Sequence, residues 1–310
     1  MKLSIVTTLY QSSSYLDEFH RRVGGVARSL VGEDFEILFV NDGSPDDSLE
    51  LAVEISRKDN HVVVIDLSRN FGHHKAMMAG LTHASGEQVF LIDSDLEEDP
   101  EWLRSFSEQL IDEKCDVVYG IQEVRKGSAF ERLSGEFYYW FLGWMLNMQH
   151  PKNITTARLM TRRYVEALLL HRESEIVISG LWLITGFEQR DQVVCKKSSS
   201  SSTYSLRKKI SHSINAITSF SSKPLMLIFA TGMTIFLISF IYLLSLVVNR
   251  LFFSTPLDGW TSIMASVWLL GGITISFIGI IGIYLSKIFA ETKQRPNFII
   301  KDIYGRKSDE

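Results

Sequence analysis

Short apolar runs alternate with amphipathic segments through the N-terminal 120 residues, and that alternation predicts the elements. LSIVTTL reads as a buried strand and YLDEFHRRVGGVARSL as an amphipathic helix. FEILFV is a second strand ending in NDGSPDDS, whose Asp-Gly turn and Ser-x-x-Asp segment lead into a helix N-terminus. VVVIDLS predicts a third strand, HKAMMAGLTHA a third helix and EQVFLID a fourth strand. A helix opened by Pro100 and running through Ile111, then a strand at DVVYG, complete the pattern. Strands alternating with helices predict an α/β domain with a mostly parallel sheet and helices on both faces. In such sheets ligands bind beyond the carboxyl ends of the strands.

The pattern changes after residue 223. Leu225 to Val248 holds no charged residue, and neither does the run from Gly259 to Ser286. As a helix the first run spans about 36 Å, enough for a hydrocarbon core of roughly 30 Å. Two membrane helices are therefore expected, at 224–248 and 260–286, joined by a loop at 249–259. Before them lie a domain at 1–203 and a basic amphipathic segment at 204–223, and after them a tail at 287–310. Lys196, Lys197, Arg207, Lys208, Lys209 and Lys223 precede the first run. Lys287, Lys293, Arg295, Lys301, Arg306 and Lys307 follow the second, whereas the loop has only Arg250. The positive-inside tendency then puts both ends in the cytoplasm and the protein in the plasma (inner) membrane as a multi-pass chain.

Composition narrows this further. The 310 residues allow one large domain or two smaller ones, and a net charge of −4 gives no reason to expect nucleic acid. Cys115 and Cys195 fit no metal or redox spacing and read as reduced thiols. MKLSIVTTLY lacks the apolar core of a signal peptide.

LIDSDLEEDP packs Asp93, Asp95, Glu97, Glu98 and Asp99 after an apolar strand. It is not an EF-hand, because Glu98 stands where a glycine must turn the loop. Neither a GxxxxGK phosphate loop nor a GxGxxG dinucleotide turn is present. An Asp-x-Asp pair alone is usually a solvated turn. Here Asn41-Asp42-Gly43-Ser44 and Ser68-Arg69-Asn70-Phe71-Gly72 fall at the same ends of neighbouring strands. Hard carboxylate oxygens suit Mg2+ or Mn2+ bridging protein acids and substrate phosphates. Glu98 and Asp99 read instead as negative charge favouring the N-terminus of the helix opened by Pro100.

Asp42 in VNDGS, LSRNFGHHKA, DSDLEEDPE and SFSSKPL ahead of two apolar spans resemble the family 2 glycosyltransferases of GT-A fold. Within these the chain is most similar to the polyisoprenyl-phosphate glycosyltransferases, the group of dolichol-phosphate mannose synthase and bactoprenol glucosyltransferases. The resemblance covers essentially the whole chain. It implies a nucleotide-sugar donor (UDP first), Mg2+ or Mn2+, a polyprenyl phosphate acceptor such as undecaprenyl phosphate, and inverting transfer at the cytoplasmic membrane face. By position, Asp42 reads the base with Thr8 and Tyr10 beside it, and Arg69, Asn70 and Gly72 belong to the donor loop. Asp93 faces ribose or sugar, Asp95 holds the metal, and Glu97 stands where relatives have glutamine. Arg125, Arg132 and Arg158 are expected near the diphosphate and the acceptor phosphate. Phe137, Tyr138, Tyr139, Trp140, Phe141 and Trp144 suit a face on the bilayer, between subunits of a homo-oligomer, or in the core.

The chain departs from the family at Gln11-Ser12, where an Asn-Glu pair is usual, and at Thr156, where relatives often carry an aspartate. His73 and His74 fit no metal spacing and read as local hydrogen bonders at a helix start. Ser198 to Ser202 read either as a linker or as a closing loop, and Glu175 is a spare acid. Two competing readings stand beside the transferase. A processive polysaccharide synthase would need a QxxRW motif, and Gln189-Arg190-Asp191-Gln192 lacks the tryptophan. A catalytically silent membrane scaffold is favoured by the altered positions and disfavoured by intact Asp42, Asp93 and Asp95.

Overall fold

The structure, a computed structural model, describes residues 1–122, 153–173, 176–196, 214, 217–218, 221–253 and 259–305. The chain divides into two compact units, one of residues 1–136, 150–204 and 295–310, the other of 137–149 and 205–294.

The first unit is built on an eight-stranded sheet. Its strands are β1 (Leu3–Leu9), β2 (Phe35–Asn41), β3 (Val62–Leu67), β4 (Gln88–Leu91), β5 (Val117–Gln122), β6 (Ile154–Thr161), β7 (Gln189–Val194) and β8 (Ile300–Tyr304). Their order is β7-β5-β6-β4-β1-β2-β3-β8. The pairs β1–β2, β1–β4, β2–β3 and β5–β7 are parallel. Only β6 and β8 run against their neighbours. The sheet is thus mostly parallel, as the alternation of elements predicts.

Helices α1 (Leu16–Val31), α2 (Ser48–Lys58), α3 (His73–His83) and α4 (Trp102–Asp112) follow the first four strands in turn. Two shorter helices are α5 (Arg162–Leu169) and α6 (Ile178–Ile184). Every residue of β1 is buried, and β2 is buried except at Glu36, as expected of parallel strands covered on both faces. On one face Ile5, Ile37, Val64 and Phe90 join Phe19 and Val23 of α1 and Phe106 of α4 in one cluster. On the other, α3 lies so close to β1 and β2 that a Cβ on Gly80 would run into Val6 and Val40. The α4 region begins with short-range bonds, Trp102 N–H to Asp99 O and Leu103 N–H to Pro100 O. The α-helix therefore starts two residues after the proline, behind a tighter turn.

The second unit contains two long helices, α7 (Lys223–Phe253) and α8 (Trp260–Thr292). At 1.5 Å per residue they are about 46 and 50 Å long. Leu270–Thr292, with a mean hydropathy of 1.9, is long and apolar enough to cross a membrane. By the same measure the apolar stretch Lys223–Ile235 of α7 is shorter among the described residues. Phe229, Ile238, Ile275, Ile278 and Phe289 are exposed. Two long helices lie where the sequence predicts membrane helices, and among the described residues one of them, α8, holds a stretch long and apolar enough to cross a membrane.

Candidate active site

The ends of β1, β2, β3 and β4 bring the predicted donor residues into one hydrogen-bonded cluster. Asp42 follows β2 and is buried. Its Oδ1 accepts the N–H of Phe71 at 2.7 Å, and its Oδ2 that of Gly72 at 3.0 Å. Burial pushes the Asp42 carboxyl above its ordinary pKa, with the two N–H groups opposing. Gly43 takes a left-handed turn, and a Cβ there would sit 2.6 Å from Asn70 N. The loop after β3 therefore rests directly on the turn after β2. Arg69 and Asn70 are exposed on that loop, with the Arg69 guanidinium 4.1 Å from the Phe71 ring centre.

Thr8, near the end of β1, is buried and its hydroxyl lies 2.9 Å from His73 Nδ1. The other ring nitrogen, Nε2, is 3.3 Å from Asp93 Oδ1. That contact lies off the hydrogen-bond direction, so Asp93 Oδ1 is buried without a hydrogen-bond partner. The surrounding protein disfavours charge on His73, but Asp93, Asp42 and Asp95 outweigh it and raise its pKa. Burial likewise pushes Asp93 up, yet the proximity of His73 and Thr156 brings it below the usual carboxylate range. His73 thus ties the wall of the pocket to the acidic loop, across 65 residues of sequence from Thr8. The local role expected for it is too narrow. His74 instead binds the Ile176 carbonyl at 3.0 Å.

The acidic loop divides differently from the expectation. Asp95 is exposed, and its Oδ1 accepts the Glu97 N–H at 2.9 Å. Surrounding protein and the charges of Asp93 and Glu97 push its pKa up. Glu98 does not favour a helix N-terminus. It is fully buried, and its oxygens accept the N–H groups of Thr156 at 2.9 Å and Ala157 at 2.7 Å. Lys196 Nζ lies 3.1 Å from Glu98 Oε1 and 4.0 Å from Glu97 Oε2. Burial and the charge of Asp93 push Glu98 up to about 7. Asp99 pairs with Arg22 of α1.

Ser12 is buried, takes the Tyr10 N–H at 3.2 Å, and receives the Ser94 hydroxyl at 3.1 Å. Ser94 also donates to the Thr8 carbonyl at 3.0 Å. Ser12 therefore joins the first strand to the acidic loop. Tyr10 is exposed at the mouth of the cluster.

A family model, glycosyl transferase family 2, matches residues 4–168. The chain belongs to glycosyl transferase family 2. It is 48% identical over 98% of its length, and 89% of the relative's, to a glycosyltransferase-named protein of Mycobacterium tuberculosis (strain CDC 1551 / Oshkosh). It is 30% identical to the bactoprenol glucosyl transferase of Shigella phage SfV, covering 97% of this chain and 99% of that one. Among solved structures, S. aureus TarS 1-349 in complex with UDP-GlcNAc is similar over 71% of this chain and 66% of that one. The identity is 18% and the TM-score 0.49, a distant likeness, so the fold rests on the strand order itself.

This family 2 transferase gathers Thr8, Asp42, Gly72 and Asp93 as its sequence implies, and adds His73, Glu98 and Lys196. Arg158 is a correction. It is 1% exposed, its guanidinium lies 2.9 Å from the Trp182 ring centre, and it donates toward the carbonyls of Thr156 and Thr155. Burial pulls its pKa down to about 9. Packed beneath the indole, it is closed to direct contact with an acceptor phosphate. Arg125, Arg132, the aromatic run 137–144, Glu175 and the serines 198–202 lie outside the described residues.

The residues fit a divalent cation. Asp93 Oδ1 is a buried acceptor without a hydrogen bond, and Asp95 is an exposed carboxylate crowded by like charge. Among the described residues no three His, Cys, Asp or Glu side chains converge as a ligand set. Mg2+ is commonly held by one or two carboxylates and completed by substrate phosphate and water.

Proposed function

We propose that this enzyme transfers a sugar from a nucleotide-sugar, UDP-linked as first choice, to a polyprenyl phosphate at the cytoplasmic face of a membrane. The observation that carries the reading is the convergence of Thr8, Asp42, the Ser68–Gly72 loop, His73 and Asp93 at the carboxyl ends of four adjacent strands. The named activity of the Shigella phage SfV relative, matched along nearly its whole length, supports a lipid phosphate acceptor. The exposed apolar helices support a membrane location.

Asp42 fixes the backbone of the donor loop, leaving each oxygen a further lone pair for the base. Thr8 and Tyr10 line the same pocket. His73, whose pKa the surrounding acids raise, stands beside Asp93 on the side assigned to the diphosphate. A bound Mg2+ or Mn2+, carried by Asp93 and Asp95, would supply charge neutralisation for the leaving diphosphate. Glu97 stands in reserve as a further oxygen ligand, and Arg125 and Arg132 are assigned to the phosphates. Loss of the aspartate at Thr156 is tolerable, because a phosphate monoester has its second pKa near about 6 and is already anionic at neutral pH. The acceptor oxygen needs no base, and attack at the anomeric carbon proceeds in line with inversion.

The test is direct. Purified full-length protein in detergent, with Mn2+ or Mg2+, polyprenyl phosphate and a panel of nucleotide sugars, should give a glycolipid that Asp95→Ala abolishes. Polymer instead of glycolipid would indicate a synthase, and no product with no nucleotide binding would indicate a silent scaffold.

A further inference from the structure

The last strand of the sheet is made by the segment that follows the final hydrophobic helix. Ile300–Tyr304 pairs antiparallel with β3 and covers what would be its open edge. Three contacts lie where β3 becomes the donor loop. The register slips between Asp66 and Leu67, a bulge at the point where the strand ends. The Ser68 N–H, at the start of the loop, donates to the Ile299 carbonyl at 2.9 Å. Lys301 Nζ lies 3.4 Å from Asp66 Oδ2.

Asp66 is 3% exposed, and a carboxylate so placed requires partners. Its Oδ1 accepts the Asn41 amide N–H at 2.7 Å. The Asn41 carbonyl oxygen in turn accepts the Ser44 N–H at 3.2 Å, closing the turn that contains Asp42. Asp42 then holds Phe71 and Gly72. The donor loop is therefore gripped at its far end by Asp42 and at its near end by β8, and Asp66 connects the two grips.

We propose that β8 is a working part of the donor site, with Lys301 as a positioning residue acting through Asp66 and Asn41 on the loop that receives the nucleotide. The backbone pairing runs along β3 from Val64 to Leu67 and seals the edge. Here the side-chain ion pair and the Ser68 bond both fall at the ligand end. The inference rests on the nucleotide-sugar reading of this site.

The experiment uses the full chain in detergent, comparing wild type with Lys301→Met, Lys301→Arg and Gly305→Ala. Gly305 has φ 85°, and a Cβ there would collide with the Val62 carbonyl, so alanine lifts the strand's end. Amide exchange at residues 67–72, UDP binding by calorimetry with Mn2+, thermal midpoint and steady-state kinetics are measured together. In Lys301→Met and Gly305→Ala the loop exchanges faster, and UDP binding weakens about fivefold, the scale of one lost solvent-exposed ion pair. In both variants donor KM rises while kcat stays within about twofold, the pattern of lost uniform binding. Lys301→Arg restores both. A lowered thermal midpoint with unchanged loop exchange and unchanged UDP binding would overturn the proposal. If wild type binds no nucleoside diphosphate, the nucleotide reading fails, while the exchange measurement still decides whether β8 holds the loop.

Discussion

Glu98 sits fully buried with Thr156 and Ala157 N–H groups on its oxygens and Lys196 beside it. Replacing it by alanine strands the N–H groups of Thr156 and Ala157, while the partly exposed Lys196 keeps Glu97 nearby. Glu98→Ala should destabilise the first unit by about 3 kcal/mol, since each buried N–H left without an acceptor costs about 1–3 kcal/mol. Thermal melting in detergent checks this, and Glu98→Gln, which keeps one acceptor, should fall between. Asp59 offers a pH test. Burial raises its carboxyl, but the His61 backbone N–H at 2.9 Å and the rings of His61 and His20 hold it down to about 2. A folded pKa below the unfolded one stabilises fully above about 4 and loses that contribution as pH falls through about 2, on the order of 2 kcal/mol. Wild type should therefore lose melting temperature over that window more steeply than Asp59→Asn, and equal slopes would refute the assignment.

Among elements, α3 carries the donor side of the sheet by approaching β1 and β2 through Gly80. Gly80→Ala inserts a methyl against Val6 and Val40, and overpacking of this kind costs about 1–3 kcal/mol. Because His73 opens the same helix, the displaced α3 should also weaken nucleotide binding, measured by calorimetry beside the melting curve. A melting change without a binding change would mean that α3 shifts as far as Gly80 but not at its start. The element boundaries were legible wherever a periodic run met a turn residue. β6, β7 and β8 were not, because an antiparallel insert and two edge strands are defined by partners about 30 to 240 residues away rather than by their own pattern.

For the whole molecule, the proposed membrane location has a direct test in the exposed apolar side chains of α7 and α8. The full chain should sediment with membranes, resist extraction by high salt or alkaline carbonate, and come off in detergent. Release by salt alone would leave a peripheral attachment. The first unit draws its sheet from both sides of the hydrophobic helices, since β8 follows α8 in the chain. Cutting the chain after residue 292 should therefore lower the stability of the first unit, not merely trim a tail.

By itself the sequence determined the α/β alternation, the two apolar helices, the family and the three ligand-side loops. These follow from local periodicity, turn chemistry and an ordered set of motifs. Tertiary structure decided which acids share a cavity. Glu98 is a buried clamp rather than a helix-start charge because Thr156 and Ala157, 58 and 59 residues on, present their N–H groups to it. His73 reaches Thr8 and Asp93, Arg158 disappears under Trp182, and the Ile299 carbonyl beside the C-terminal strand takes the Ser68 N–H for the same reason. Each depends on groups brought together by the sheet, and no spacing along the chain records them.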